Sequence, residues 1–337
     1  MDSSWLRPAA AGLEILPARA FVDPLRPVDL AIITHAHADH ARPGHKQVIA
    51  TAQTLAIMAA RLGPDFAETK TVLDYGESLM LGDLRLGMAP AGHILGSAQI
   101  IMDYNDTRII AAGDYKRAAD PTCQPFQPVP CDIFITEATF GLPVFRQPDP
   151  LAEIARLLAL RARFPGRAIL VAAYALGKAQ RLIALLRQAG WDETIYLHGA
   201  MLGPCRIYQE FGVDLGDLQP VTTDRKSLPA DQLAGQFVLA PHSALGSSWA
   251  RRLPDPVSCM ASGWMQVRAR ARQSGIECPL VISDHADWPD LLATLDEVRP
   301  RQVWVTHGRE DALLHACKQR GLDARALRLI GYEEDSA

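Results

Sequence analysis

The chain of 337 residues is long enough for two ordinary domains, or for one large domain carrying an insertion. With 48% hydrophobic and 21% charged residues it reads as a globular protein with ample core, and no run approaches the eighteen apolar residues of a membrane span. A net charge of −4 argues against a generally basic surface, so any attraction for phosphate has to be local. The first twenty residues lack a basic start followed by an apolar block, which argues against an export signal. Cys123, Cys131, Cys205, Cys259, Cys278 and Cys317 include no Cys-x-x-Cys pair, a pattern suited to reduced thiols and a cytoplasmic location. A metal site would then be built from His, Asp and Glu.

In chain order, short β-branched runs recur, each breaking into a polar residue. "AIIT" precedes His35, "RIIAAG" precedes Asp114, "DIFIT" precedes Glu137, "PLVIS" precedes Asp284 and His285, and "VWVT" precedes His307. Such runs predict strands buried on both faces, whose ends deliver polar groups to one rim. Hairpin turns are predicted at Gly82-Asp83 and at Asn105-Asp106, so the sheets here are mixed. From Asp149, an N-cap with Pro150 behind it, the texture changes. Helix "LAEIARLLALRARF", strand "AILVAAY", helix "KAQRLIALLRQAG", strand "TIYLHG", a helix through "PCRIYQEFG" and strand "QFVLAP" alternate, which predicts a parallel sheet with crossover helices. The expected organisation is one mixed-sheet domain, residues 1–140 and 279–337, interrupted by a parallel α/β domain at 141–278.

The stretch "IITHAHADHARPGH" holds four histidines and an aspartate in fourteen positions, a density too costly to bury unpaired. In extended backbone, residues two apart share a side, so His35 and His37 can grip one ion while Asp39 and His40 face a second position. Imidazole and carboxylate without thiolate suit zinc, with manganese as the alternative. Three protein ligands per ion require more donors: His93 in "PAGHILGSA" completes the first set, His307 in "VTHGRE" the second, and Asp114 in "AAGDYK" bridges them. A bridging carboxylate holds two ions where a shared hydroxide becomes the nucleophile. Asp23 reads as a residue orienting a ligand histidine, or as a turn cap. His45, His198 and His315 read as packed or surface residues and not as ligands, with His242 undecided.

The strand-His-x-His-x-Asp-His run followed by His93 and Asp114 resembles the metallo-β-lactamase superfamily. "FITEATFG", "AAYALGKAQRLIALL", "ISDHADW" and "VTHGRE" resemble the motifs of its β-CASP branch, which acts on nucleic acids. The resemblance spans nearly the whole chain. It implies an α/β fold, the αββα metallo-β-lactamase sandwich with an inserted parallel α/β β-CASP domain. Within the branch, "GDYKRAADPTC", "ASGWMQVR" and "SDHADWP" are similar to the bacterial DNA-ligase-associated exonucleases. That implies a two-metal phosphodiesterase processing DNA ends, 5′ ends first, with a DNA ligase and a helicase as partners. The resemblance further implies that His285 serves as general acid or phosphate contact and that Glu137 orients it. His307 departs from the DNA-type pattern: Artemis-type nucleases carry an apolar residue there, whereas RNA-processing members carry histidine.

Substrate contacts are less sharply marked. "APHSALGSSW" reads as a strand-to-helix turn in which Ser243, Gly246, Ser247 and Ser248 would cradle a phosphate or simply cap a helix. Lys178 reads either as a phosphate contact or, more in line with its chemistry, as a solvated side chain. Arg268, Arg270 and Arg272 alternate as a strand-borne stripe would, and Trp249 and Trp264 lie near enough to stack bases, although core burial is the default for tryptophan. The competing functions are an RNA-processing nuclease and a small-molecule ester or lactone hydrolase, the second of which has no need of an inserted domain.

Overall fold

A computed structural model of the chain describes residues 3–223, 226–267, 269, 272 and 275–327. The chain divides into two compact units, Met1–Arg146 with His285–Ala337, and Gln147–Asp284. The first unit is built on two mixed sheets. In one, the strands lie in the order Leu6–Ala9, Gly12–Ile15, Ala20–Val22, Leu30–Ile32, His45–Ala50 and Ala67–Val72. The other runs Asp323–Ala326, Gln302–Gly308, Ile133–Ala138, Thr107–Ala111, Ala98–Tyr104, Leu84–Pro90 and Ser78–Leu81. Its first four strands pair in parallel and the rest are antiparallel. The hairpin turns fall at Gly82-Asp83 and at Asn105-Asp106, where Asn105 and Asp106 both have positive φ (47° and 54°), as a type I′ turn requires.

Strand periodicity explains the layering. Ile109, Ile133, Ile135 and Trp304 point into one core shared with Leu13, Ile15, Ile32 and Ile49 of the other sheet. Their neighbours Ile110, Phe134, Val303 and Val305 point the opposite way, into a second core closed by helices Trp288–Val298 and Glu310–Gln319. Successive side chains on a strand face opposite sides, so strands covered on both faces must be apolar throughout. Helix Ala52–Leu62 accompanies the first sheet, giving the α/β/β/α layers of the metallo-β-lactamase fold.

The second unit is a parallel sheet in the order Leu218–Pro220, Ile195–Leu197, Phe237–Ala240, Ile169–Ala172, Val257–Ala261 and Cys278–Leu280. Helices Pro150–Arg163, Lys178–Gln188 and Gly199–Glu210 connect its strands. The Asp149 side chain accepts the Leu151 N–H at 3.0 Å and caps the first of these. The third helix starts earlier than "PCRIYQEFG" suggests, because the His198 Nδ1 accepts the Ala200 N–H and caps it, leaving Pro204 inside. The strand expected over "PLVIS" occupies Cys278–Leu280 only. The next amide, Val281 N–H, donates to the buried Glu153 carboxylate at 2.8 Å and so leaves the ladder. Arg268 and Arg270 lie outside the described residues, and Arg272 is exposed. Among the described residues no helix is long and apolar enough to cross a membrane.

Candidate metal centre

Six chain segments of the first unit, that of His285 among them, bring polar side chains to one place. His35 follows strand Leu30–Ile32, and His37 and His40 come from the turn behind it. His93 sits in the turn after Leu84–Pro90, where its N–H donates to the Ser97 hydroxyl at 3.1 Å. Asp114 follows Thr107–Ala111 through Gly113, whose φ is 58° and whose added Cβ would meet Thr34 at 2.8 Å; only glycine lets these two strand ends approach. Glu137 and His307 lie inside their strands, not beyond them. Between these strands the register shifts: Thr136 pairs with Val305 but Ala138 with Gly308, so one extra residue is accommodated beside His307. Such a bulge turns a side chain out of the sheet alternation and is common next to active sites.

The side chains form three groups sharing Asp114, and within each group the donor atoms lie within 4.8 Å of one another: His35, His37, His93 and Asp114; His40, Asp114 and His307; and Asp114, Glu137 and His285. Asp114 Oδ2 stands 3.5 Å from His35 Nε2, 3.6 Å from His93 Nε2 and 3.7 Å from His40 Nε2, while Oδ1 stands 3.1 Å from His307 Nε2. Burial works against charge on this carboxyl, but His40, His285 and His307 hold it well below the usual range. Asp39 is half-exposed, 3.6 Å from His40 Nε2 and outside the three groups. The Glu137 carboxylate, fully buried, accepts the Tyr115 N–H at 2.9 Å and the His285 Nδ1–H at 2.9 Å.

A set of supporting contacts fixes the ring orientations. Asp23, buried and at a positive φ of 43°, accepts the Thr34 N–H at 2.7 Å, the Thr34 hydroxyl at 2.6 Å and the His40 Nδ1–H at 2.8 Å. With its own proton committed to Asp23, the Thr34 oxygen 3.0 Å from His35 Nδ1 accepts from that nitrogen and leaves the His35 Nε2 lone pair facing Asp114. The reading of Asp23 as an orienting residue thus has a geometry. Thr34 was missed, although it stands in the quoted "AIIT". Arg61 was missed as well; its guanidinium donates to the Ala36 carbonyl in the middle of the histidine run.

The residues fit a metal on two observations. The His35 Nε2 is buried and makes no hydrogen bond, and burial followed by the neighbouring His40 holds its pKa well below the ordinary value, so it is a neutral lone-pair donor. His93 Nε2 and His37 Nδ1 lie 3.0 Å apart, both edging the same group. Burial opposes charge on His40 too, yet Asp114 and Asp23 outweigh it and raise its pKa to about 10 in the metal-free protein.

The residues read as phosphate contacts belong to the second unit. Ser243, Gly246 and Ser248 are exposed, and the segment forms two short 3-10 turns, His242–Ala244 and Ala250–Arg252, where an α-helix was expected. Ser247 serves that local fold: its hydroxyl donates to the Ala244 carbonyl at 2.7 Å and accepts the Ala250 N–H. Lys178 is not solvated. It is buried at the start of its helix and ion-paired with the equally buried Asp284. His242 packs edge-on against Tyr174, and burial, then the nearby Lys178 ammonium, lowers its pKa. Trp249 is half-buried against the core of its unit.

Residues 279–322 match the family model of the Zn-dependent metallo-hydrolase RNA specificity domain (RMMBL), a stretch that includes His285 and His307. The chain is 29% identical over 310 residues, 89% of its length, to a "Probable DNA ligase" of Opitutus terrae, and spans 29% of that protein. It is 22% identical over 92% of its length to "Cleavage and polyadenylation specificity factor subunit 3-I" of Arabidopsis thaliana, of which it spans 55%. With "Ribonuclease TTHA0252" of Thermus thermophilus it shares 29% identity over 54% of its own length and 46% of that protein's. It therefore spans less than two thirds of each of these relatives. A crystal structure of a protein of unknown function from Enterococcus faecalis V583 is similar in fold, with a TM-score of 0.55 at 14% identity, covering 82% of this chain and 74% of that one. Sheet layering, the order of the clustered side chains along the chain and these relatives all agree with its resemblance to the β-CASP branch of the metallo-β-lactamase superfamily.

Proposed function

We propose that the protein is a two-metal phosphodiesterase acting on nucleic acid, and that its substrate is DNA cleaved exonucleolytically from 5′ ends. The observation that carries the reading is the sharing of one buried carboxylate, Asp114, by two sets of imidazoles. In it, His35, His37 and His93 would hold one ion and Asp39, His40 and His307 the other, with Asp114 a ligand common to both sets. Zinc is the ion we favour, manganese the alternative. When bound, divalent ions held by these residues would supply a nucleophile from water near neutral pH and offset charge on a phosphoryl oxygen. The remaining work falls to the protein. Glu137 fixes the His285 Nδ1–H, so the other ring nitrogen is presented to a leaving oxygen and can hand it a proton. The ring of His285 stands 4.8 Å from that of His93, close enough for one phosphodiester to meet both. In this reading residues 141–278 are the inserted β-CASP domain, and the metallo-β-lactamase domain comprises 1–140 and 279–337.

Similarity along 89% of the chain to part of a protein named as a DNA ligase supports DNA ends as substrate and a ligase as partner; a helicase partner rests on the motif resemblance alone. His307 and the similarity to named ribonucleases favour RNA as a second reading. The test compares wild type with His37→Ala and Asp114→Ala on end-labelled single- and double-stranded DNA and RNA, with and without 5′-phosphate. Metal-loaded wild type should shorten DNA from the 5′ end, and both variants, still folded, should lose about a thousandfold or more in rate. Variants as active as wild type would sink the assignment, and cleavage confined to RNA would move it to the second reading.

A further inference from the structure

Cys259 and Cys278 stand opposite each other on two neighbouring parallel strands of the second unit, Val257–Ala261 and Cys278–Leu280, as direct register partners. In-register residues of adjacent strands point to one face, and here that is the buried face, with Cys259 0% and Cys278 6% exposed. Backbones of paired strands lie about 4.8 Å apart, inside the Cα separation of about 4.4–6.8 Å that a disulfide spans. Both thiols are free, and the Cys259 Sγ–H donates to the Val257 carbonyl at 3.8 Å. Cys278 begins the edge strand of the sheet, where local opening is easiest.

We propose that Cys259 and Cys278 form a reversible dithiol–disulfide site for two-electron oxidants of the peroxide class. The pair is chemically unequal. The neighbouring Cys259 thiol, aided by the Arg156 guanidinium against the effect of burial, holds the Cys278 thiol below its ordinary value, and the neighbouring Cys278, with burial, pushes Cys259 up. Cys278 is accordingly the attacking sulfur. Its thiolate takes one oxygen of hydrogen peroxide; the O–O bond breaks and hydroxide leaves, gaining a proton to become water. The resulting sulfenic acid is attacked by the Cys259 sulfur, the S–S bond forms, and a second hydroxide departs as water once protonated. Two thiols and one peroxide thus become one disulfide and two waters. The bond would tie the edge strand to its neighbour just before the stretch in which Arg156 donates to the Pro279 carbonyl and Arg181 to the Ser283 carbonyl.

The experiment treats the full chain with hydrogen peroxide, blocks the remaining thiols with a maleimide under denaturing conditions, and maps the products by mass spectrometry. The titre should fall from the six thiols of the sequence by two. A peptide joining Cys259 to Cys278 should appear and dithiothreitol should abolish it, and the melting temperature should rise by about 5 °C. Cys278→Ser should give no such peptide; were that variant to misfold, the wild-type map decides alone. A full thiol titre after peroxide sufficient to oxidise free cysteine would overturn the proposal, as would a crosslink between other cysteines. The readout is a thiol count, so it stands or falls separately from the nuclease reading.

Discussion

Asp114 meets His35, His40, His93 and His307 within 3.7 Å, and a carboxylate buried among imidazoles is stable only while they supply hydrogen bonds or share positive charge. The orientation of those rings rests on neighbours that would never touch substrate. Asp23 holds the His40 Nδ1–H, and Asp23→Asn should weaken metal binding about ten- to a hundredfold in a chelator competition, with activity recovering as metal is raised. An unchanged affinity would demote Asp23 to a turn residue. The sign of the pH dependence follows from the same ring. The His40 pKa is raised to about 10 in the metal-free protein, so at pH 7 metal uptake expels its proton, and affinity should climb by about tenfold per pH unit and fall as the solution is acidified. At this scale the sequence was readable where spacing carries the chemistry, as in His35 and His37. Lys178 was not: a lysine opening a helix looks solvated until Asp284 is found buried beside it.

Elements decide how far these residues can be trusted to meet. The turns at Gly82-Asp83 and Asn105-Asp106 are written in local residue chemistry, because positive φ favours Gly, Asn and Asp. The irregular register between Ile133–Ala138 and Gln302–Gly308 has no such local mark, since each strand alone reads as an unbroken apolar run. Gly308 makes that register workable. Its φ is 101°, and a Cβ there would fall 2.3 Å from the Ala138 carbonyl. Gly308→Ala should therefore destabilise the fold by about 2–4 kcal/mol in urea unfolding and displace His307, weakening metal binding with it. A variant of wild-type stability would mean that the two strands can separate at little cost.

For the molecule as a whole, the first unit carries every group of the metal cluster, drawn from both sides of the inserted stretch. Metal binding should then act on folding. A site filled at a hundred times its dissociation constant stabilises the native state by about 2.7 kcal/mol, so chelation should lower the melting temperature by several degrees and added zinc restore it. Equal melting curves with and without chelator would contradict a metal centre held by these side chains. The interruption was legible from composition, since mixed hairpin texture gives way at Asp149 to strict β-α alternation. Its far edge was less so: the strand read over 279–283 is Cys278–Leu280 in the parallel sheet, because Glu153, distant in sequence, captures the amide of Val281.

The sequence by itself determined the periodicities, the caps and turns, and the dense histidine run, because each depends on residues within one or two turns of chain. Tertiary structure alone decided that Asp23 reaches His40, that Lys178 is neutralised by Asp284, and that Cys259 faces Cys278. Those are pairings across long sequence separations. Their partners are chosen by which strands lie side by side, a property of the packed sheets that no local stretch encodes.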